Sequence, residues 1–143
     1  MAFVVGKKLV TDTTDFNDYA YGLMLPVRLG STGYFDQAFT SFEQARANLL
    51  NLLLTKKGER MMQPEFGSGL QALLFEQATD DLAEKLQTTI TANVSFWLPY
   101  INIDDIEVYM TDEMKDSNTA QMNIKFTVGS DITLQEITFT IQG

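Results

Sequence analysis

The hydrophobic positions of this chain change their period twice. From residue 1 to 39 they keep neither a helical nor a strand period: Phe16, Tyr19, Tyr21, Tyr34, Phe35 and Phe39 alternate irregularly with Gly22, Gly30, Gly33 and Pro26. Such a segment reads as an extended arm that holds a surface through aromatic anchors. Packing of the arm along its own domain is the alternative. From residue 40 the period becomes helical. Thr40 and Glu43 have the spacing of a capping box, in which hydroxyl and carboxylate each satisfy a free N–H of the first turn. Phe42, Ala45, Leu49, Leu52 and Leu53 follow on one face; Lys56 and Lys57 suit the negative end of the helix dipole, and Gly58 predicts the stop.

Ser68 predicts the cap of a short second helix with Leu70, Leu73 and Leu74 on its buried edge. A third is expected from Thr79, with Asp80 and Asp81 in its first turn, through Leu82, Leu86, Ile90, Val94 and Trp97 to the stop at Pro99. After Pro99 the period is two. Ile106, Val108 and Met110 alternate with Glu107 and Tyr109, a polar run turns the chain, and Met122, Ile124, Phe126 and Val128 alternate with Gln121, Asn123, Lys125 and Thr127. In the last segment Ile132 and Leu134 share one parity while Ile137, Phe139 and Ile141 take the other. That switch around Gln135 and Glu136 predicts a bulge, or a strand whose halves bury opposite faces. The expected fold is α+β: two main helices and a short one packed on a C-terminal three- to four-stranded antiparallel sheet. Residues 1–39 form the arm and 40–143 a single domain.

Composition narrows the chemistry. The 143 residues are the size of one domain, and 10 Lys+Arg against 19 Asp+Glu give a net charge of −9. That charge repels phosphate backbones and anionic lipid, so neither nucleic acid nor membrane is an expected partner. No apolar run approaches the length of a bilayer span, and the first residues carry no charged leader, so synthesis in the cytoplasm is expected. Zero cysteines remove disulfides, thiolate metal sites and cysteine nucleophiles, and zero histidines remove the usual general base and the commonest metal ligand. No metal and no cofactor is expected. A glycosidase needs two carboxyl groups about 5 to 9.5 Å apart, one of them in an apolar pocket. Glu59, Glu65, Glu76, Asp80 and Asp81 supply acids, but their abundance in so acidic a chain is no signal. No catalytic residue is assigned.

The connection after the first helix concentrates charge and backbone-permissive residues. Arg60 is a planar fork of five donors suited to a carboxylate or to carbonyls at a helix end. Pro64 stiffens the loop before any partner arrives, Phe66 offers an anchor, and Gly67 and Gly69 allow a positive φ or a close backbone approach. The alternative is local: Arg60 paired with Glu65 or Glu76, and Phe66 plugging the gap between helices. Met61 and Met62 read as ordinary packing, with an adaptable contact surface as the other possibility.

Gly58-Glu59-Arg60, then three residues, then Pro64-Glu65-Phe66-Gly67 and an LFE ending resemble the signature of the small wedge protein of contractile-tail baseplates. That family includes the sheath-initiating wedge subunit of T-even-like phages and its type VI secretion counterpart, and is sometimes labelled lysozyme-like. The resemblance extends over about residues 41–143. It implies a structural subunit of a virion tail baseplate, assembled in the bacterial host cytoplasm. Glu59, Arg60, Pro64, Glu65, Phe66 and Gly67 would hold the core helical bundle of the larger wedge proteins. The terminal sheet would template the first ring of the tail sheath, whose subunits add strands along Ile137, Thr138, Phe139, Thr140 and Ile141; tube or hub components are further neighbours. An arm strand, AFVVG, covering that edge internally is the alternative there. A soluble adaptor domain for another complex, or a glycosidase acting on peptidoglycan, are the competing functions.

Overall fold

The computed structural model describes residues 20–30, 34–75, 81–111, 113–114, 117–129 and 133–142. The chain divides into two units, 1–48 and 49–143. In the first, β1 (Gly22–Leu23) pairs antiparallel with β2 (Gln37–Ala38), and the Leu25-Pro26 bond between them is cis. Helix α1 (Ser41–Leu54) starts in this unit and ends in the second. Its start is the expected capping box: Glu43 N–H donates to Thr40 Oγ1 at 3.2 Å, and Glu43 Oε2 accepts from the N–H groups of Phe39 and Thr40 at 2.8 and 3.1 Å.

The second unit contains α2 (Leu70–Phe75), α3 (Leu82–Trp97) and an antiparallel sheet in the order β3 (Ile101–Tyr109), β4 (Thr119–Val128), β5 (Gln135–Gln142). Helix α2 packs on α3 and β5, and α3 packs on β3, so the helices cover one face of the sheet. Leu82, Leu86, Ile90 and Val94 of α3 are buried, as are Ala120, Met122, Ile124 and Phe126 of β4 and Ile137, Phe139 and Ile141 of β5. This is the α+β fold expected from the two periods.

Three boundaries differ from expectation. Helix α1 ends at Leu54, not at Gly58, because its last carbonyls find other partners: Thr55 Oγ1 bonds back to Asn51 O, and Ser68 Oγ donates to Leu53 O at 2.7 Å. Lys56 and Lys57 therefore lie beyond the helix. At α3, Asp81 occupies the N-cap position without a side-chain cap bond, while the expected start at Thr79 and Asp80 lies outside the described residues. In the sheet, β4 and β5 pair from Thr119↔Gln142 to Phe126↔Gln135 without a shift, so the strand simply begins at Gln135; Leu134 is exposed before it and Ile132 lies outside the described residues. The bulge is in β3 instead, between Ile103 and Asp105. It absorbs Asp104 and keeps Ile101, Ile103, Ile106 and Val108 opposite Val128, Phe126, Ile124 and Met122 on the inner face.

The outer face is polar and knitted. Lys125 Nζ reaches Asp105 at 3.2 Å and Glu107 at 3.0 Å; Tyr109 donates its hydroxyl to Glu107 at 2.6 Å. Asn123 Nδ2 donates to both Glu107 and Glu136, which explains the burial of an amide on the wet face. The Glu107 carboxyl is pushed down from its ordinary 4.5 to about 2 by the hydrogen bonds from Tyr109, Lys125 and Asn123, in that order.

Candidate functional site

The connection from Thr55 to Gly69 is built as a braced loop. Gly58 N–H donates to Pro64 O at 2.8 Å and closes its neck. Inside the neck, Glu59 N–H donates to Lys56 O at 3.1 Å, and Lys56 N–H donates back to the Glu59 carboxylate at 3.0 Å. Gln63 N–H to Arg60 O and Phe66 N–H to Gln63 O are two successive turns, at 3.2 and 3.0 Å. At the far end Gly67 has φ +125°, and a Cβ there would stand 2.6 Å from Thr55 O. Glycine is required by that approach as well as by the dihedral.

Buried Ser68 ties the loop to three helices. Its hydroxyl donates to Leu53 O at the end of α1 and accepts from Leu70 N–H at the start of α2, at 2.7 and 3.3 Å; its carbonyl accepts from Asn93 Nδ2 of α3 at 3.1 Å. The expected helix cap is thus also a joint.

Arg60 is fixed on two sides. Its Nη2 donates to Asn51 Oδ1 at 3.1 Å, and its Cζ lies 3.8 Å from the centre of the Phe66 ring. Phe66 meets Trp97 edge to face at 5.2 Å, and Trp97 meets Phe96 in the same way at 5.0 Å. Among the described residues the partners of Arg60 are Asn51 and Phe66, not Glu65; Glu76 lies outside them. Glu59, Pro64 and Glu65 are exposed, Arg60 and Phe66 half-buried, and Gly67 buried. Six residues expected to act together thus share one loop, with Arg60 and Phe66 in contact. Met61 and Met62 do not pack: they are 96% and 94% exposed at the loop tip, because Arg60 turns inward to Asn51 just before them.

Asn51 and Phe96 were not legible as parts of the site. Asn51 gives no signal of its own in an apolar helix. Phe96 does: it stands off the Leu86, Ile90, Val94 face, where a large aromatic has no core to fill.

Ile137, Phe139 and Ile141 point into the core and Thr138 and Thr140 are exposed. Among the described residues no strand pairs with the outer edge of β5; the AFVVG segment lies outside them. Asp81 and Glu84 line an open cleft with Leu73, Lys85, Thr88 and Thr89, and both are exposed. Among the described residues no three or more Asp or Glu side chains are grouped to hold a metal ion, and no described helix is long and apolar enough to cross a membrane.

No match was found among curated protein sequences. Among solved structures, a protein described as a tail lysozyme from Geobacter sulfurreducens aligns with a TM-score of 0.63 at 19% identity, covering 72% of this chain and 91% of its own. A chain of the anti-feeding prophage baseplate aligns with a TM-score of 0.55 at 18% identity, covering 84% of this chain and 82% of its own. A chain of the type VI secretion baseplate complex aligns with a TM-score of 0.52 at 15% identity, covering 69% and 90%. At these identities the likeness is one of fold. The family model for baseplate wedge protein gp25 matches residues 42–132, more than half of the chain and the whole of the braced loop. The chain belongs to the gp25 family of baseplate wedge proteins, structural components of contractile-tail and related baseplates.

Proposed function

We propose that this chain is a structural wedge subunit of a contractile injection tail that does two jobs. The loop residues Glu59, Arg60, Pro64, Glu65, Phe66 and Gly67 clamp the core helical bundle of the larger wedge proteins. The outer edge of β5, Ile137 to Ile141, receives a strand of the sheath subunit and templates the first sheath ring. Residues 40–143 act as the wedge domain and 1–39 as an arm that holds a neighbouring surface, a role that suits the exposure of Leu29, Tyr34 and Phe35.

One observation carries the clamp. Arg60 is held rigidly by a neutral amide and a ring face, so its charge is positioned without a carboxylate partner among the described residues. A guanidinium ordered before binding loses little entropy when a foreign carboxylate or helix end arrives. For the sheet, β-augmentation needs an unpaired, uncharged edge; among the described residues no strand pairs with the outer edge of β5, and Ile137 to Gln142 carry no charge.

Arg60→Ala tests the reading. Losing one hydrogen bond and one cation–π contact costs about 1 to 2 kcal/mol, so the isolated chain stays folded. Incorporation into sedimenting baseplates is expected to disappear, and Arg60→Lys, which keeps charge but not the fork, to restore it poorly. Incorporation that falls only as far as thermal stability does would assign Arg60 to the fold instead.

A further inference from the structure

The ladder of rings does not stop where the motif stops. Phe96 is 75% exposed, yet its ring meets Trp97 edge to face at 87°, and Trp97 in turn meets Phe66, whose face lies against Arg60. A large aromatic held in place but left in water is what a preorganised interface anchor looks like before its partner binds. We propose that Phe96 is a partner-binding residue, the far end of one surface that runs from Met61 and Met62 past Arg60 to the last turn of α3. Its occupant is a helix of a larger wedge protein that lays an apolar face on Phe96 and the two methionines and presents a carboxylate to Arg60. This rests on the clamp reading above and extends the clamp beyond its loop.

Charge selects that occupant. Residues 56–60 hold Lys56, Lys57 and Arg60 against Glu59, a net positive segment carrying three of the ten cations of a molecule with net charge −9. From Leu86 to Ile103, by contrast, no residue is charged, so covering Phe96 strips water from no ion on its own segment. A helix that is acidic on one edge and apolar on the adjacent face matches both halves. The long, flexible methionines adapt to its ridges.

The experiment places p-benzoylphenylalanine at Phe96, and separately at Met61, in full-length chain expressed in cells that are assembling tails. After irradiation the adducts are mapped by mass spectrometry. Adducts from both positions on one helical segment bearing Asp or Glu support the proposal. An adduct from Met61 with none from Phe96 overturns it and leaves the loop clamp standing; adducts from neither position overturn both. Cross-links from Phe96 to a second copy of this chain also overturn it. In parallel, Phe96→Glu should reduce baseplate incorporation about tenfold or more with a loss of thermal stability of only a few degrees, matched by Phe96→Ala as the control for the lost ring contact. Undiminished incorporation overturns the proposal.

Discussion

Two glycines of the loop have the same sign of φ but different surroundings, and they separate backbone conformation from packing. Gly58, at φ +85°, has open space where a Cβ would go; Gly67, at φ +125°, faces the Thr55 carbonyl. Gly58→Ala should cost about 1 kcal/mol from the dihedral alone. Gly67→Ala should cost more, about 3 kcal/mol, because backbone must also move. Urea unfolding of the two variants checks the order, and equal losses would remove the close approach as the reason for Gly67. Both glycines were legible as turn residues. Which one lies against the end of α1 was not, since that depends on where Ser68 bonds. The polar face offers a second residue-level test. Glu107 titrates at about 2 in the folded chain against an ordinary 4.5, so its hydrogen bonds contribute fully above pH 4.5 and are lost as pH falls toward 2. Glu107→Gln should therefore show a flatter loss of stability than the parent between about pH 4.5 and 2. An identical slope in a pH series of thermal melts would count against the network.

At the scale of the element, one sequence signal occurs twice and means two different things. The hydrophobic parity switches between Leu134 and Ile137, and again between Ile103 and Ile106. In β5 the switch marks only where the strand begins, since Leu134 precedes it. In β3 it is a real bulge, because Ile101 and Ile103 pair across with Val128 and Phe126 and must still face the helices. A one-residue excess is the way to hold both halves inward. Deleting Asp104 should remove the bulge and leave Ile101, Ile103, Ile106 and Val108 alternating inward as a regular strand with the same partners, so chemical denaturation should show little loss of stability. A loss of about 2 kcal/mol, the burial of Ile101, would mean that those residues had turned outward and that the extra residue is not what holds both halves inward. The helices were more legible than their ends: the Thr40 and Glu43 box set the start of α1, but its stop was decided by Ser68, fifteen residues beyond Leu53.

For the whole molecule, the two proposed jobs sit on different elements and should come apart. Thr140→Pro on the outer edge of β5 should leave the chain in sedimenting baseplates while preventing sheath growth, as electron microscopy of tails would show. Full-length sheath on such particles would rule out strand addition there. From residue 40 the order of helices and strands, the single inner apolar face and the absence of cysteine and histidine chemistry were determined by the sequence alone, whereas the short β1–β2 pair before it was not. Local periodicity, caps and composition act over a few residues and need no knowledge of the fold. The loop motif likewise placed Arg60 and Phe66 in one connection. Tertiary structure decided what those residues touch. Asn51, nine residues before Arg60, and Trp97, thirty-one residues after Phe66, become its brace only when α1 and α3 bring them beside the loop. The same packing leaves Met61, Met62 and Phe96 in water. Hydrophobicity fixes that such side chains prefer burial, but only the arrangement of the elements settles whether the core has room for them or they remain on the surface.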